Sequence, residues 1–169
     1  GDHSTPLGVI QAFSEEFPGL GVLQIDAHAD LRVAYEGFIQ SHASIMHNVL
    51  EQTSVSRVVQ VGIRDLCEAE FRRIEGEKRL RTFFDSDLQE RLMLGDGWDA
   101  LCTEVVEALP EYVYVSFDID GLEPVYCPHT GTPVAGGLSF VQASHLLRRL
   151  VTSGRKMVGF DLNEVAPGS

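Results

Sequence analysis

Cysteine is scarce: Cys67, Cys102 and Cys127 are odd in number, far apart and in no Cys-x-x-Cys spacing. That excludes a disulfide framework and a zinc-thiolate site, and it fits a reducing cytoplasm best. Long apolar runs are also missing. Asp, Arg, Glu or Gln interrupts each within about ten positions, short of the roughly twenty that a membrane-spanning helix needs, so no membrane role is expected. Positive charge is the third shortage, with 13 Lys and Arg against 25 Asp and Glu and a formal net charge of −12. Phosphate binding draws on clustered Lys and Arg, so nucleic acid is not expected as a partner; a small cationic molecule suits this field. Repeats, low-complexity tracts and long linkers are absent too, and residues 1–169 read as a single domain.

What is present is an alternation of strands with amphipathic helix-length stretches, which predicts an α/β fold. Strands are expected at Gly21 to Ile25, Arg57 to Gly62, Tyr112 to Phe117 and Lys156 to Phe160, with a weaker one at Thr82 to Phe84. They are apolar nearly throughout, as in parallel strands buried on both faces. Helices are expected at Thr5 to Phe17, Ala43 to Gln52, Trp98 to Leu109 and Ser139 to Thr152, with Ser139 as N-cap. Leu101, Val105, Ala108 and Leu109 recur at helical spacing after Trp98, which makes Trp98 a core anchor. The segment Gly121 to Gly137 holds four Gly and three Pro without periodicity and reads as a long ordered loop. It lacks the Gly-x-x-x-x-Gly-Lys order of a phosphate cradle, which excludes that form of nucleotide binding.

Three strands run out into acids: Asp26-Ala27-His28-Ala29-Asp30, Asp118-Ile119-Asp120 and Asp161-Leu162-Asn163-Glu164. Open parallel sheets place their sites at these carboxyl ends. A spacing of two lets alternate side chains point the same way where a strand ends, so four carboxylates and an imidazole converge. Carboxylates so close repel in a low-dielectric cleft, and a pair of divalent cations relieves that repulsion.

Gly1-Asp2-His3-Ser4, Asp26-Ala27-His28-Ala29-Asp30, Ser116-Phe117-Asp118-Ile119-Asp120, the loop Thr130 to Leu138 and Asn163-Glu164-Val165-Ala166-Pro167 together resemble the ureohydrolase family, which contains arginase and agmatinase. The resemblance runs from the first residue to the last. It implies a three-layer α/β/α fold around a mostly parallel sheet, with opening strands and a final strand and helix not included. It also implies two Mn²⁺ ions, release of urea from a small cationic guanidino substrate, and a homo-oligomer. By the resemblance, His3 and Asp30 are terminal ligands of one ion, His28 and Asp120 of the other, and Asp26 and Asp118 bridge them. Oxygen and imidazole ligands without thiolate are compatible with Mn²⁺, and by ligand type alone with Zn²⁺, Co²⁺ or Ni²⁺.

The same resemblance makes Glu164 the carboxylate that grips the guanidinium and His42 the group that passes a proton to the departing amine. Asp30-Leu31-Arg32 with Ser41-His42-Ala43 is more similar to the agmatinase branch than to arginase. Arg32 is expected beside the cleft, turned from a cationic substrate tail and paired with an acid such as Glu36. Asp65 is expected either to line the cleft or to pair with Arg64, and His47, His129 and His145 to be surface or capping residues. Arginase, formimidoylglutamase and other guanidino or formimino hydrolases stay open as substrate alternatives. A metal-binding chain without activity is the alternative from another class. Single-ion deacetylation fits less well, because it calls for fewer carboxylates than Asp30, Asp118 and Asp120 supply.

Overall fold

A computed structural model describes residues 1–166 and Gly168; Pro167, the last residue of the closing motif, lies outside them. Five strands form one sheet: β1 (Gly21–Ile25), β2 (Arg57–Ile63), β3 (Leu80–Phe84), β4 (Tyr112–Asp118) and β5 (Lys156–Asn163). Their order is β3-β2-β1-β4-β5, and every pairing is parallel. The chain runs outward from β1 in one direction through β2 and β3, then returns to build β4 and β5 on the other side. The crevice beyond the ends of β1 and β4 is therefore the topological switch point, where sheets of this kind hold their ligands.

Both faces are covered, which is why the strands read as continuous apolar runs. Helices α1 (Leu7–Glu16) and α2 (Ile45–Gln52) bury Ile10, Ile45, Met46 and Val49 against Val22, Val58 and Tyr114. On the opposite face α4 (Asp85–Met93), α5 (Trp98–Glu107) and α6 (Phe140–Thr152) bury Leu88, Leu101, Val105 and Leu146 against Leu23, Ile25, Val59 and Val115. The layers are thus α/β/α, as expected. Ser139 caps α6 by accepting from the Gln142 N–H. Trp98 packs on the core and donates its indole N–H to the Gln142 carbonyl.

Two helices escaped the sequence reading, α3 (Glu68–Gly76) and α4. Both are short and charge-rich, and each presents only one or two large apolar residues to the core, so their periodicity is faint. β5 runs three residues beyond its expected end, because pairing with β4 continues to Asp118↔Asn163 after a register shift at Val113/Tyr114. Among the described residues no helix is long and apolar enough to cross a membrane.

Candidate metal centre

β1 ends at Ile25, and the next five residues carry three of the expected ligands. Asp26 is fully buried; its Oδ1 accepts from the His28 N–H at 2.6 Å, which folds the chain so that the His28 ring turns back toward the sheet end. Asp30 sits at φ +54, a left-handed conformation that Asp tolerates better than most residues. Its carbonyl accepts from the Met46 and His47 N–H groups, so the first turn of α2 fixes it. From β4, Asp118 accepts the Asp120 N–H at 3.0 Å and Asp120 accepts the Ala27 N–H at 3.0 Å. The neighbouring backbone comes very close. A Cβ on Gly62, at φ +94, would lie 3.1 Å from the Asp26 carbonyl, and one on Gly121 would lie 2.7 Å from the Asp26 nitrogen.

His3 Nδ1 lies 3.0 Å from Asp26 Oδ2, 3.1 Å from Asp30 Oδ2 and 3.3 Å from Asp118 Oδ2. His28 Nδ1 lies 3.1 Å from Asp120 Oδ2 and 3.6 Å from Asp26 Oδ1. All six expected ligands are therefore brought together in two clusters that share Asp26, one oxygen facing each imidazole. The buried His3 Nδ1 faces three carboxylate oxygens without an aligned hydrogen bond to any of them. That is the donor arrangement a small cation would fill, and His3-Asp26-Asp30 and Asp26-His28-Asp120 both have the spacing of metal ligands. The donor set fits a pair of divalent ions.

Electrostatics point the same way. Like charges about 4 Å apart repel by about 4 kcal/mol at an effective dielectric near 20, and several such pairs meet here. Burial, with Asp26 and Asp120 close by, pushes the Asp118 carboxyl up to about 7. Burial and Asp26 likewise hold Asp30 well above the usual carboxylate range. Burial disfavours a charged His28, but Asp120 and Asp26 override it and push the imidazole up to about 11. His3 is raised in the same way against its burial by Asp118, Asp26 and Asp30. The cluster without ions holds protons where ions would otherwise balance its charge.

Behind His3, Nε2 lies 2.9 Å from Ser116 Oγ, and the Ser116 hydroxyl donates to Asp161 Oδ1 at 3.1 Å. With that hydroxyl committed, Nε2 is the nitrogen that keeps its proton when the ring is neutral, so loss of the proton facing the carboxylates would free the Nδ1 lone pair for a cation. In front, a cavity of about 140 Å³ is lined by His28, Asp30, Arg32, Tyr35, His42 and Asp65 among others. His42 stands on its wall, 3.5 Å from Asp2 Oδ2 and edge-on to Tyr35. Asp65 lies 3.8 Å from His28 Nε2 and lines the cavity; Arg64 points elsewhere. Glu164 is at the end of β5 outside this cavity lining, with φ +58 and its Oε1 accepting the His3 N–H at 2.7 Å. Of the other histidines, His145 pairs with Asp99 at 2.8 Å and His129 is exposed.

One pairing differs from expectation. Arg32 does meet an acid, but the acid is Glu70, at 3.6 Å, and not Glu36. Glu36 lies exposed in the Tyr35–Phe38 turn, whereas Glu70 is buried in the first turn of α3, accepting the Cys67 and Leu31 N–H groups. Arg32 also stacks over Tyr35, 5.3 Å from its centroid, so it stays beside the cavity with its charge partly offset. Ser116, Arg64 and Thr132 were not read as site residues. Thr132 donates to Asp120 Oδ2 at 3.3 Å, and the threonine inside the glycine-rich loop was the signal available for it.

A parallel α/β sheet with paired imidazole-carboxylate clusters at its switch point defines a scaffold with the donor groups for metal binding. The chain belongs to the Arginase family, whose model matches residues 1–169. It is 36% identical over 99% of its length to the N(1)-aminopropylagmatine ureohydrolase of Thermus thermophilus, of which it covers 53%. It is 30% identical to the agmatinase of Halalkalibacterium halodurans, covering 99% of this chain and 54% of that one. Among solved structures, the proclavaminate amidino hydrolase of Streptomyces clavuligerus superposes with a TM-score of 0.82 at 30% identity, over 99% of this chain and 54% of that one. The chain spans about half the length of the curated relatives it matches.

Proposed function

We propose that this chain carries the catalytic centre of a binuclear-metal hydrolase of guanidino compounds that releases urea, with agmatine, giving putrescine and urea, as the foremost substrate. The observation that carries the reading is the pair of imidazole-carboxylate clusters sharing Asp26 at the switch point of an Arginase-family sheet. His3 and Asp30 would hold one ion, His28 and Asp120 the other, and Asp26 and Asp118 would bridge; Mn²⁺ suits these oxygen and imidazole donors. When bound, such a pair supplies Lewis-acid activation of water and offsets the charge of the cluster.

The protein's own groups supply the remainder. On the cavity wall Glu70 pairs with Arg32, which leaves Asp65 as an acid to meet a cationic guest. Glu164 spends one oxygen on the His3 N–H, which leaves the other to accept from a guanidinium N–H. Water adds to the guanidino carbon, the bond from that carbon to the substrate's alkyl nitrogen breaks, and the leaving amine needs a proton. His42 would deliver it, a role supported by its position on the cavity wall near Asp2. The partly offset charge of Arg32 lessens the obstacle to a substrate that ends in an ammonium, and relatives named agmatinase and N(1)-aminopropylagmatine ureohydrolase support that choice.

The test is hydrolysis by the Mn²⁺-loaded chain, read as urea from agmatine, aminopropylagmatine and arginine and as formamide from formiminoglutamate. Agmatine or its aminopropyl derivative should be turned over best, and Arg32→Ala should leave that selectivity nearly unchanged. Turnover confined to a carboxylate-bearing substrate would reassign the specificity. Bound metal with neither urea nor formamide released from any of the four would favour the non-catalytic reading.

A further inference from the structure

Beneath the ligand segment Asp26 to Asp30, three polar side chains stand in one row across the sheet. Gln24 of β1 is paired in register with Gln60 of β2, and Gln60 with Thr82 of β3. Gln24 and Gln60 are fully buried in strands that are otherwise nearly all apolar. The Thr82 hydroxyl donates to Gln60 Oε1 at 2.7 Å. The Gln60 amide donates to Gln24 Oε1 at 2.6 Å and to the Ala29 carbonyl at 2.8 Å. The Gln24 amide donates to Asp26 Oδ2 at 2.8 Å and to the His28 carbonyl at 3.2 Å.

Resting on the two-metal reading above, we infer that this ladder is a positioning device for the metal ligands. The sense of every bond is set at the ligand end, where Asp26 Oδ2 and the His28 and Ala29 carbonyls can only accept. Gln24 therefore turns its nitrogen to Asp26 and its oxygen to the Gln60 nitrogen, and the Gln60 oxygen that is left accepts the Thr82 hydroxyl. A flipped Gln24 would press a carbonyl oxygen on the carboxylate. Each amide also holds a carbonyl of the ligand segment, one on His28 and one on Ala29 beside Asp30. The ladder thereby fixes the rotation of the shared carboxylate and the path of the chain between all three ligands. Partners of this kind around metal ligands typically alter metal affinity by about 10- to 100-fold when removed. Simple satisfaction of buried polar groups would instead change folding stability and leave the metal alone.

The experiment is Mn²⁺ titration of the full chain by calorimetry, with electron paramagnetic resonance of the bound ions and thermal melts of the metal-free protein. Gln24→Met and Gln60→Met should each weaken Mn²⁺ binding by about tenfold or more. Thr82→Val should weaken it less, and Thr82→Ser should restore it. Because Thr82 acts through Gln60, adding Thr82→Val to Gln60→Met should cost nothing further. Folded Gln24→Met and Gln60→Met proteins that bind Mn²⁺ within twofold of the parent, or additive losses in the double variant, would overturn the ladder. If the glutamine variants do not fold, Thr82→Val decides: unchanged affinity and an unchanged spectrum overturn it. A parent chain that binds two ions separates this outcome from failure of the two-metal reading; a parent that binds none sinks both.

Discussion

Asp26 has a separate task for each oxygen. Oδ2 meets His3 and Gln24, and Oδ1 meets the backbone and ring of His28, so Asp26 faces both imidazoles of the site. Asp26→Asn should therefore abolish binding at both positions, whereas Asp120→Asn should spare the His3 side and leave one ion per chain. Metal analysis after Mn²⁺ saturation checks this; equal losses in the two variants would remove Asp26 from its bridging role. Five of the six proposed ligands were legible in the sequence because Asp-x-His-x-Asp and Asp-x-Asp have the period of a strand, whereas His3 came only from the family resemblance of Gly1-Asp2-His3-Ser4. Gln24 and Gln60 were not, since a single glutamine in an apolar run carries no spacing, and its meaning appears only when the register sets it beside the next. At the same scale, burial pushes the Cys102 thiol up to about 12, and its side chain has no exposure. It should resist thiol reagents at pH 8 until the protein unfolds, while the half-buried Cys67 reacts first; mass spectrometry of the labelled native chain reads the order.

The loop from Gly121 to Gly137 has little regular structure of its own, and Arg64 supplies an external frame. Its Nη2 donates to the carbonyls of Asp120 at 2.7 Å and Val134 at 2.9 Å, its Nε to Ala135 at 3.2 Å, and its Nη1 to Gly62 at 3.0 Å. One planar guanidinium thus ties both ends of the loop to the end of β2, and a lysine cannot reproduce the fork. Arg64→Met should cost about 2 to 4 kcal/mol of stability, since hydrogen bonds from a charged donor are lost and their acceptors stay partly buried. It should also weaken the ion at His28 and Asp120 more than the one at His3 and Asp30. Denaturant melts and metal stoichiometry test the two halves of that statement; a loop variant with normal metal content would confine Arg64 to stability. The ordered character of the loop was readable from its glycines and prolines. The role of Arg64 was not, because its partners are backbone carbonyls about 60 to 70 positions away, which no side-chain pattern records. Arg32 meets an acid as expected, but Glu70 and not the suggested Glu36, for a related reason: Glu70 belongs to α3, whose sparse apolar periodicity concealed the helix that brings it there.

Across the whole molecule, the acidic character of the chain and the protons trapped in the site give folding a distinctive pH dependence. A group whose folded pKa exceeds its unfolded value binds protons more tightly in the folded state, so stability falls as pH rises between the two values. His28, near 6.5 when unfolded and about 11 when folded, acts between those limits, and the raised His3 acts in the same sense. Asp118, near 3.8 when unfolded and about 7 when folded, lowers stability across that lower interval, and the raised Asp30 adds to it. Asp26 is depressed and has the opposite sign, but its window lies below its ordinary value of 3.8. These groups titrate as one cluster, and from pH 5 to pH 9 their contributions share one direction. The metal-free chain should therefore melt at progressively lower temperature as pH is raised through that range. Ligands must shed these same protons to bind a cation, so Mn²⁺ binding should strengthen over the same range and the rise in melting temperature on adding Mn²⁺ should grow with pH. Calorimetric melts with chelator and with Mn²⁺ at several pH values separate the two curves. A metal-free melting temperature that climbs from pH 5 to pH 9, or a Mn²⁺ increment that shrinks with pH, would mean that the buried cluster does not hold its protons as its geometry requires.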